Sequence, residues 1–188
     1  YTYNMAIKTD GTLWGWGTNY FGNLAQNTSG ANSKYSSPVQ IPGTTWSTVT
    51  ATRAQACAIK TDGTLWSWGE NHLGQLGLNS RTSYSSPVQV GSGTDWSSLS
   101  SGNYYSHAIK TDGTLWAWGT NTIGGLGQNN TTKYSSPVQI PGTNWAATGH
   151  TTLGSYGIKT DGTLWTWGRN TEGQLGQNNR TNYSSPVQ

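Results

Sequence analysis

Apolar residues fall in short clusters of five or six, each bounded by Gly, Thr, Asp, Asn or Pro. Trp46-Ser-Thr-Val-Thr-Ala51 sets aromatic and β-branched residues among Ser and Thr. Ala56-Cys-Ala-Ile-Lys60 is almost continuously apolar, Thr64-Leu-Trp-Ser-Trp68 holds two Trp two residues apart, and Ser86-Pro-Val-Gln-Val90 closes the series. Short runs of this kind, bounded by turn residues, predict four strands, here a, b, c and d. Asp-Gly between b and c predicts a tight hairpin, because both turn positions tolerate positive φ. No window carries the spacing of an amphipathic helix.

The same four-strand pattern recurs. Lys-Thr-Asp-Gly-Thr-Leu-Trp begins at Lys8, Lys60, Lys110 and Lys159, a period of about 50 residues. Tyr-Ser-Ser-Pro-Val-Gln begins at Tyr35, Tyr84, Tyr134 and Tyr183, and a Gly-Thr-x-Trp step leads to Trp46, Trp96 and Trp145. Four antiparallel strands per repeat make one propeller blade. The expected architecture is all-β: a partial blade over 1–42 without strand a, then full blades over 43–91, 92–141 and 142–188.

All 11 Trp are repeat positions. Each strand c carries two on the same side of the sheet: Trp14 and Trp16, Trp66 and Trp68, Trp116 and Trp118, Trp165 and Trp167. The intervening residue is always small (Gly15, Ser67, Ala117, Thr166), as close blade-to-blade packing requires. The tryptophans are therefore assigned to the core between blades.

Composition narrows the function classes. Charged residues make up 9% of the chain, against about 25% in an average domain, so neither a coiled coil nor a highly charged disordered chain fits. No apolar run approaches the length of a membrane span, and the lone Cys57 excludes an internal disulfide. The net charge of +3 comes without a basic run or Arg cluster, so neither specific nucleic-acid binding nor membrane insertion is expected. The chain opens at Tyr1 without Met and is read as a piece of something longer or a processed product.

Candidate chemistry is sparse. Asp10, Asp62, Asp112 and Asp161 occupy one equivalent turn position each and are read as turn formers. Asp95, Glu70 and Glu172 are unrelated singles. His72, His107 and His150 sit at different repeat positions, without metal-ligand spacing. His107 stands where other blades have Met5, Cys57 and Tyr156, a tolerant core site. Gly74-Gln-Leu-Gly77 lacks the Lys and helix of a phosphate loop. No catalytic residue, metal or cofactor is expected.

The motif Lys-x-Asp-Gly-x-Leu-Trp-x-Trp-Gly-x-Asn-x-x-Gly-Gln-Leu-Gly, clearest at 60–77 and 159–176, resembles the regulator of chromosome condensation repeat. The resemblance implies a β-propeller, usually of about seven blades. Three whole repeats and one partial do not close such a ring, so continuation, a partner or further copies of the chain are expected. Within that family the eukaryotic regulator is a nuclear, chromatin-bound exchange factor that uses a wedge inserted in one blade. The even spacing here has no such insertion. A secreted bacterial relative inhibits β-lactamases through loop aromatics, and many bacterial and bacteriophage chains carry the repeats without known activity. The low charge and the abundance of Asn, Thr, Ser and Gly resemble that last group. The expected function is a non-catalytic interaction or structural module, extracellular or virion-associated, with exchange factor or enzyme inhibitor as the alternative and glycan binding as a third class.

In an antiparallel meander the a–b and c–d loops share one end of every blade. The opposite end is nearly constant, with Thr-Asp-Gly-Thr and Pro-Gly-Thr. The first end varies: its a–b loops span 53–55, 103–105 and 151–153, and its c–d loops carry different residue pairs inside a fixed Asn-x-x-Gly frame. Positions that hold the fold should repeat, whereas binding residues concentrate in loops. The expected binding residues are Tyr20, Phe21, Arg53, His72, Tyr104 and Tyr105.

Overall fold

The computed structural model describes residues 2–151 and 154–188. Among them fifteen strands and no helix form. The first sheet holds β1 (Tyr3–Ile7), β2 (Leu13–Thr18) and β3 (Lys34–Gln40). The second holds β4 (Trp46–Ala51), β5 (Gln55–Lys60), β6 (Leu65–Gly69) and β7 (Tyr84–Gln89). The third holds β8 (Trp96–Ser101), β9 (Tyr105–Lys110), β10 (Leu115–Gly119) and β11 (Tyr134–Gln139). The fourth holds β12 (Trp145–His150), β13 (Gly154–Lys159), β14 (Leu164–Gly168) and β15 (Tyr183–Val187). Each sheet is an antiparallel meander in sequence order, and together they form consecutive propeller blades, three complete and one of three strands.

The b–c hairpin departs from a two-residue turn. Gly63 N–H donates to the Lys60 carbonyl at 2.9 Å, and Lys60 N–H donates to the Thr64 carbonyl at 3.0 Å. Gly63 alone takes positive φ, at 76°, and Asp62 does not. This is the three-residue loop of a β-turn closed by a left-handed Gly. The Asp has a different task from the one its pairing with Gly suggests. Its Oδ1 accepts from Thr64 N–H at 3.0 Å and from the Thr64 hydroxyl at 2.6 Å. The Thr64 oxygen in turn accepts from Trp66 Nε1 at 2.9 Å. The same relay recurs from Asp10, Asp112 and Asp161. The Thr hydroxyl, then the Thr backbone N–H, hold each of these carboxylates below its ordinary range.

The cores lie between the sheets. Leu13 and Ile41 of the first sheet pack with Trp46 and Trp68 of the second. Ile59, Leu65 and Val90 of the second pack with Trp96 and Trp118 of the third. Ile109, Leu115 and Ile140 of the third pack with Trp145 and Trp167 of the fourth. The two strand-c tryptophans are not equivalent. Trp68, Trp118 and Trp167 are fully buried, whereas Trp66, Trp116 and Trp165 are half-buried beside a Lys. Lys60 Nζ stands 4.4 Å from the Trp66 ring centroid and 5.0 Å from that of Trp46, a cation–π arrangement.

Each of the three fully buried strand-c indoles also crosses to the neighbouring blade. Trp68 Nε1 donates to the Asn23 carbonyl at 2.8 Å, Trp118 Nε1 to the Gln75 carbonyl at 3.0 Å, and Trp167 Nε1 to the Gly125 carbonyl at 2.9 Å. The residue between the tryptophans is small for a reason inside its own blade. A Cβ on Gly15 would come within 2.9 Å of the Leu24 side chain from the c–d loop. At the equivalent position the Ser67 hydroxyl donates to the Leu76 carbonyl of that loop at 2.6 Å.

Trp118→Ala is expected to lower stability by about 3–5 kcal/mol through the cavity left between two blades. Trp116→Ala should cost less, because that ring is half solvated. Urea unfolding of the two variants and the parent chain measures both, and equal losses would show that the inner and outer rings do not differ in this way.

Candidate functional site

The variable end is built on a fixed frame. Asn71, fully buried, accepts Leu76 N–H on its Oδ1 at 2.9 Å and donates from Nδ2 to the carbonyls of Ser80 and Thr82. Asn19, Asn121 and Asn170 are likewise buried and accept from Leu24, Leu126 and Leu175. A buried amide satisfied on both sides fixes the loop backbone, and the residue directly after it is freed from that duty. Tyr20, His72, Thr122 and Thr171 occupy that place, and all four are exposed.

The loop also clasps the next blade. Gly74 is so close to β11 that a Cβ would lie 2.9 Å from Ser135 Cα, and its φ is +80°. Only Gly fits such an approach at that backbone angle. Asn79 N–H then donates to the Ser135 carbonyl at 2.7 Å. Gly22 with Ser85, and Gly124 with Ser184, repeat the arrangement.

Three of the sequence-predicted residues come together across the second and third blades. Arg53 Nη1 donates to Tyr104 OH at 3.0 Å. The His72 and Tyr104 rings meet edge to face with centroids 6.3 Å apart. His72 Nδ1 lies 3.2 Å from Glu70 Oε1. Glu70, an isolated carboxylate by sequence, is brought to the cluster by its place two residues before His72 on the same loop. Tyr20 and Phe21 form a separate edge-to-face pair at 4.8 Å in the first blade, with Tyr20 exposed and Phe21 half-buried.

Tyr105 does not belong to this surface. It is buried, and its hydroxyl donates to the Gly154 carbonyl of the next blade at 3.0 Å. Tyr3 does the same toward Gln55 at 2.7 Å. Tyr3 and Tyr105 occupy one repeat position, each paired with the Gly that ends strand c. The recurrence is thus a core signal, and it is the adjacent Tyr104 that contacts Arg53 and His72 at the loop end. Of the third a–b loop, Thr152 and Leu153 lie outside the described residues.

Among the described residues no group of three or more His, Cys, Asp or Glu is placed to hold a metal ion. Cys57 is buried, and burial pushes its thiol up to about 11, which suppresses the reactive thiolate. Asp95 pairs with Lys110 at 3.2 Å at the constant end. No helix among the described residues is long and apolar enough to cross a membrane.

Stacked four-stranded blades locked by crossing indoles define a β-propeller. Residues 62–109, 112–151 and 161–188 match the regulator of chromosome condensation (RCC1) repeat, and the chain belongs to that family. A stretch of 92 residues, 47% of this chain, is 32% identical to human Protein RCC2 and covers 17% of it. The zebrafish RCC2 homolog is 33% identical over 92 residues, 18% of its length. The chain thus spans under a fifth of these curated relatives. Among solved structures, human WBSCR16 superposes with a TM-score of 0.85 at 19% identity, over 98% of this chain and 50% of that one. Prp20p from Saccharomyces cerevisiae gives 0.84 at 15% identity, over 98% and 48%. These likenesses establish the fold.

Adjacent residues should respond oppositely to truncation. Tyr104→Ala is expected to leave stability within about 0.5 kcal/mol. Tyr105→Ala should cost about 3 kcal/mol or more, by emptying a core site and leaving the Gly154 carbonyl without its donor. Thermal melts of both variants test the division, and comparable losses would refute it.

Proposed function

We propose that this chain is a non-catalytic protein-interaction module that binds through the end carrying the a–b and c–d loops. The observation that carries the reading is the Arg53–Tyr104–His72–Glu70 cluster. It is built from side chains that do not repeat, on a scaffold where nearly everything else does. Tyr and Arg at an accessible rim are the residue types that dominate binding hot spots. Structures of related propellers point the same way. Prp20p is described by its binding to Gsp1p and histones, and yeast RCC1 has been seen bound to Kap60. Sparse charge and abundant Asn, Thr and Ser favour a bacterial surface or virion protein as the setting. An exchange factor or enzyme inhibitor is the alternative, and Tyr20 with Phe21 keeps a glycan reading in view.

A second kind of partner is favoured by the outer side of the last sheet. Leu164 is 54% exposed there, with Tyr156 and Ile158 beside it. Their counterparts Leu65, Cys57 and Ile59 are buried. A further blade, from continued chain or another copy, is the matching cover.

The test uses Gsp1p, core histones and a glycan array as probes. If the interaction reading holds, a protein probe binds, and Arg53→Ala or Tyr104→Ala weakens it by about 1–3 kcal/mol without changing the melting temperature. Accelerated nucleotide release from Gsp1p would move the assignment to exchange factor. Binding to glycans alone, or affinity that follows Thr61 and Thr111 at the constant end and ignores Tyr104, would overturn the proposal.

A further inference from the structure

The seam between the third and fourth blades differs from the others in one respect. It holds two imidazoles. His107 on β9 and His150 at the end of β12 come from opposite sides of the seam, with ring centroids 4.2 Å apart. His107 is fully buried and stacks on Trp167 at 5.6 Å and 24°. The Tyr105 ring meets His150 edge-on at 4.6 Å. Equivalent positions in other blades carry Met5 and Cys57, or Ala51 and Ser101.

Hydrogen bonding fixes one proton on each ring. His150 Nε2 lies 3.1 Å from the Ser100 carbonyl, which only accepts, so Nε2 carries the hydrogen. Its Nδ1 is buried without a partner. His107 Nε2 lies 3.3 Å from the Gly125 carbonyl, and its Nδ1 lies 3.1 Å from the Thr148 hydroxyl. A carbonyl on one side and a hydroxyl on the other are satisfied by a neutral ring protonated at Nε2. A second proton on His150 has no acceptor among the described residues. Thr148 Oγ1 also donates to the Tyr156 carbonyl at 3.1 Å, so a second proton on His107 would find that hydroxyl oxygen as its acceptor, and its cost lies in a buried charge beside His150.

We propose that this seam is an acid-sensitive joint, closed while both imidazoles are neutral and opened when they are protonated. The groups packed around the pair offer no counter-charge. They are Tyr105 and Ser106 on β9, Ser100 and Ser101 on β8, Thr148 on β12, and Ser155 and the Tyr156 carbonyl on β13. Beyond Ser106 lies the Cys57 thiol of β5, and Tyr105, a phenol raised by burial, completes the titratable neighbours. Among the described residues that touch the pair, none is a carboxylate and none is Lys or Arg.

Burial, and for His107 the neighbouring His150, holds both rings below the ordinary value of 6.5, His150 at about 4. A folded-state pKa below the unfolded one means that the unfolded chain binds the extra proton first. The stabilising contribution is therefore complete above pH 6.5 and is lost as pH falls toward 4. The four turn carboxylates act below 3.8, outside this window.

Hydrogen exchange on the 188-residue chain at pH 7.5 and 5.0, corrected for intrinsic rates, should show β9 and β12–β14 losing protection ahead of β4–β6. Between pH 6.5 and 4.5 the unfolding constant should rise about 40-fold for one such histidine and on the order of 10³-fold for both. The double variant His107→Met, His150→Ser borrows the residue types of equivalent positions and should flatten that rise. If it does not fold, imidazole proton shifts of the parent chain decide. Both rings staying neutral to pH 5.5 supports the joint. Either ring titrating near 6.5 in the folded chain, or protection falling equally at every seam, overturns it.

Discussion

An indole that leaves its own sheet to hydrogen-bond a loop of the preceding one is the constraint on which this molecule depends. Trp68, Trp118 and Trp167 each fill the space between two blades and satisfy a backbone carbonyl there. An unsatisfied carbonyl in that dry interior would be costly, and a smaller apolar residue would leave both a void and an orphaned acceptor. Packing and polar satisfaction therefore select the same side chain. With the core divided among seams, no single sheet owns a hydrophobic interior, and each is stable only through its neighbours.

The seam also explains where variation is tolerated. Loop Gly residues, the buried Asn and the Leu beneath each strand c all serve the fit between blades. Arg53 and Tyr104 of the a–b loops and the residues after the buried Asn, by contrast, differ from blade to blade. Arg53, His72 and Tyr104 sit at positions that differ between blades, and the structure draws them into one cluster spanning two blades. The binding reading rests on that separation of duties and not on any catalytic geometry.

Strand type and order were legible from the repeat, because short bounded runs and Asp-Gly spacing leave few readings. Strand a was placed residue for residue at 46–51. Strand d begins two residues earlier than its Ser-Pro-Val run suggests, because Tyr84 pairs with Gly69 across a bulge that local pattern does not reveal. Tyr105 was misplaced because loop position was weighed above its recurrence at Tyr3. The half-burial of Trp66 against the full burial of Trp68 lay beyond the pattern altogether. Both point to one side of the sheet, and only their distance from the Lys60 end separates them.

Each blade keeps one exposed position directly after a buried Asn, occupied by Tyr20, His72, Thr122 and Thr171. An aromatic, an imidazole and two small hydroxyls have been accepted there on the same backbone. The loops thus behave as a row of identical sockets that hold interchangeable heads. Under the proposed interaction role, a change of head in one blade would alter what that blade presents without touching the buried Asn beneath it.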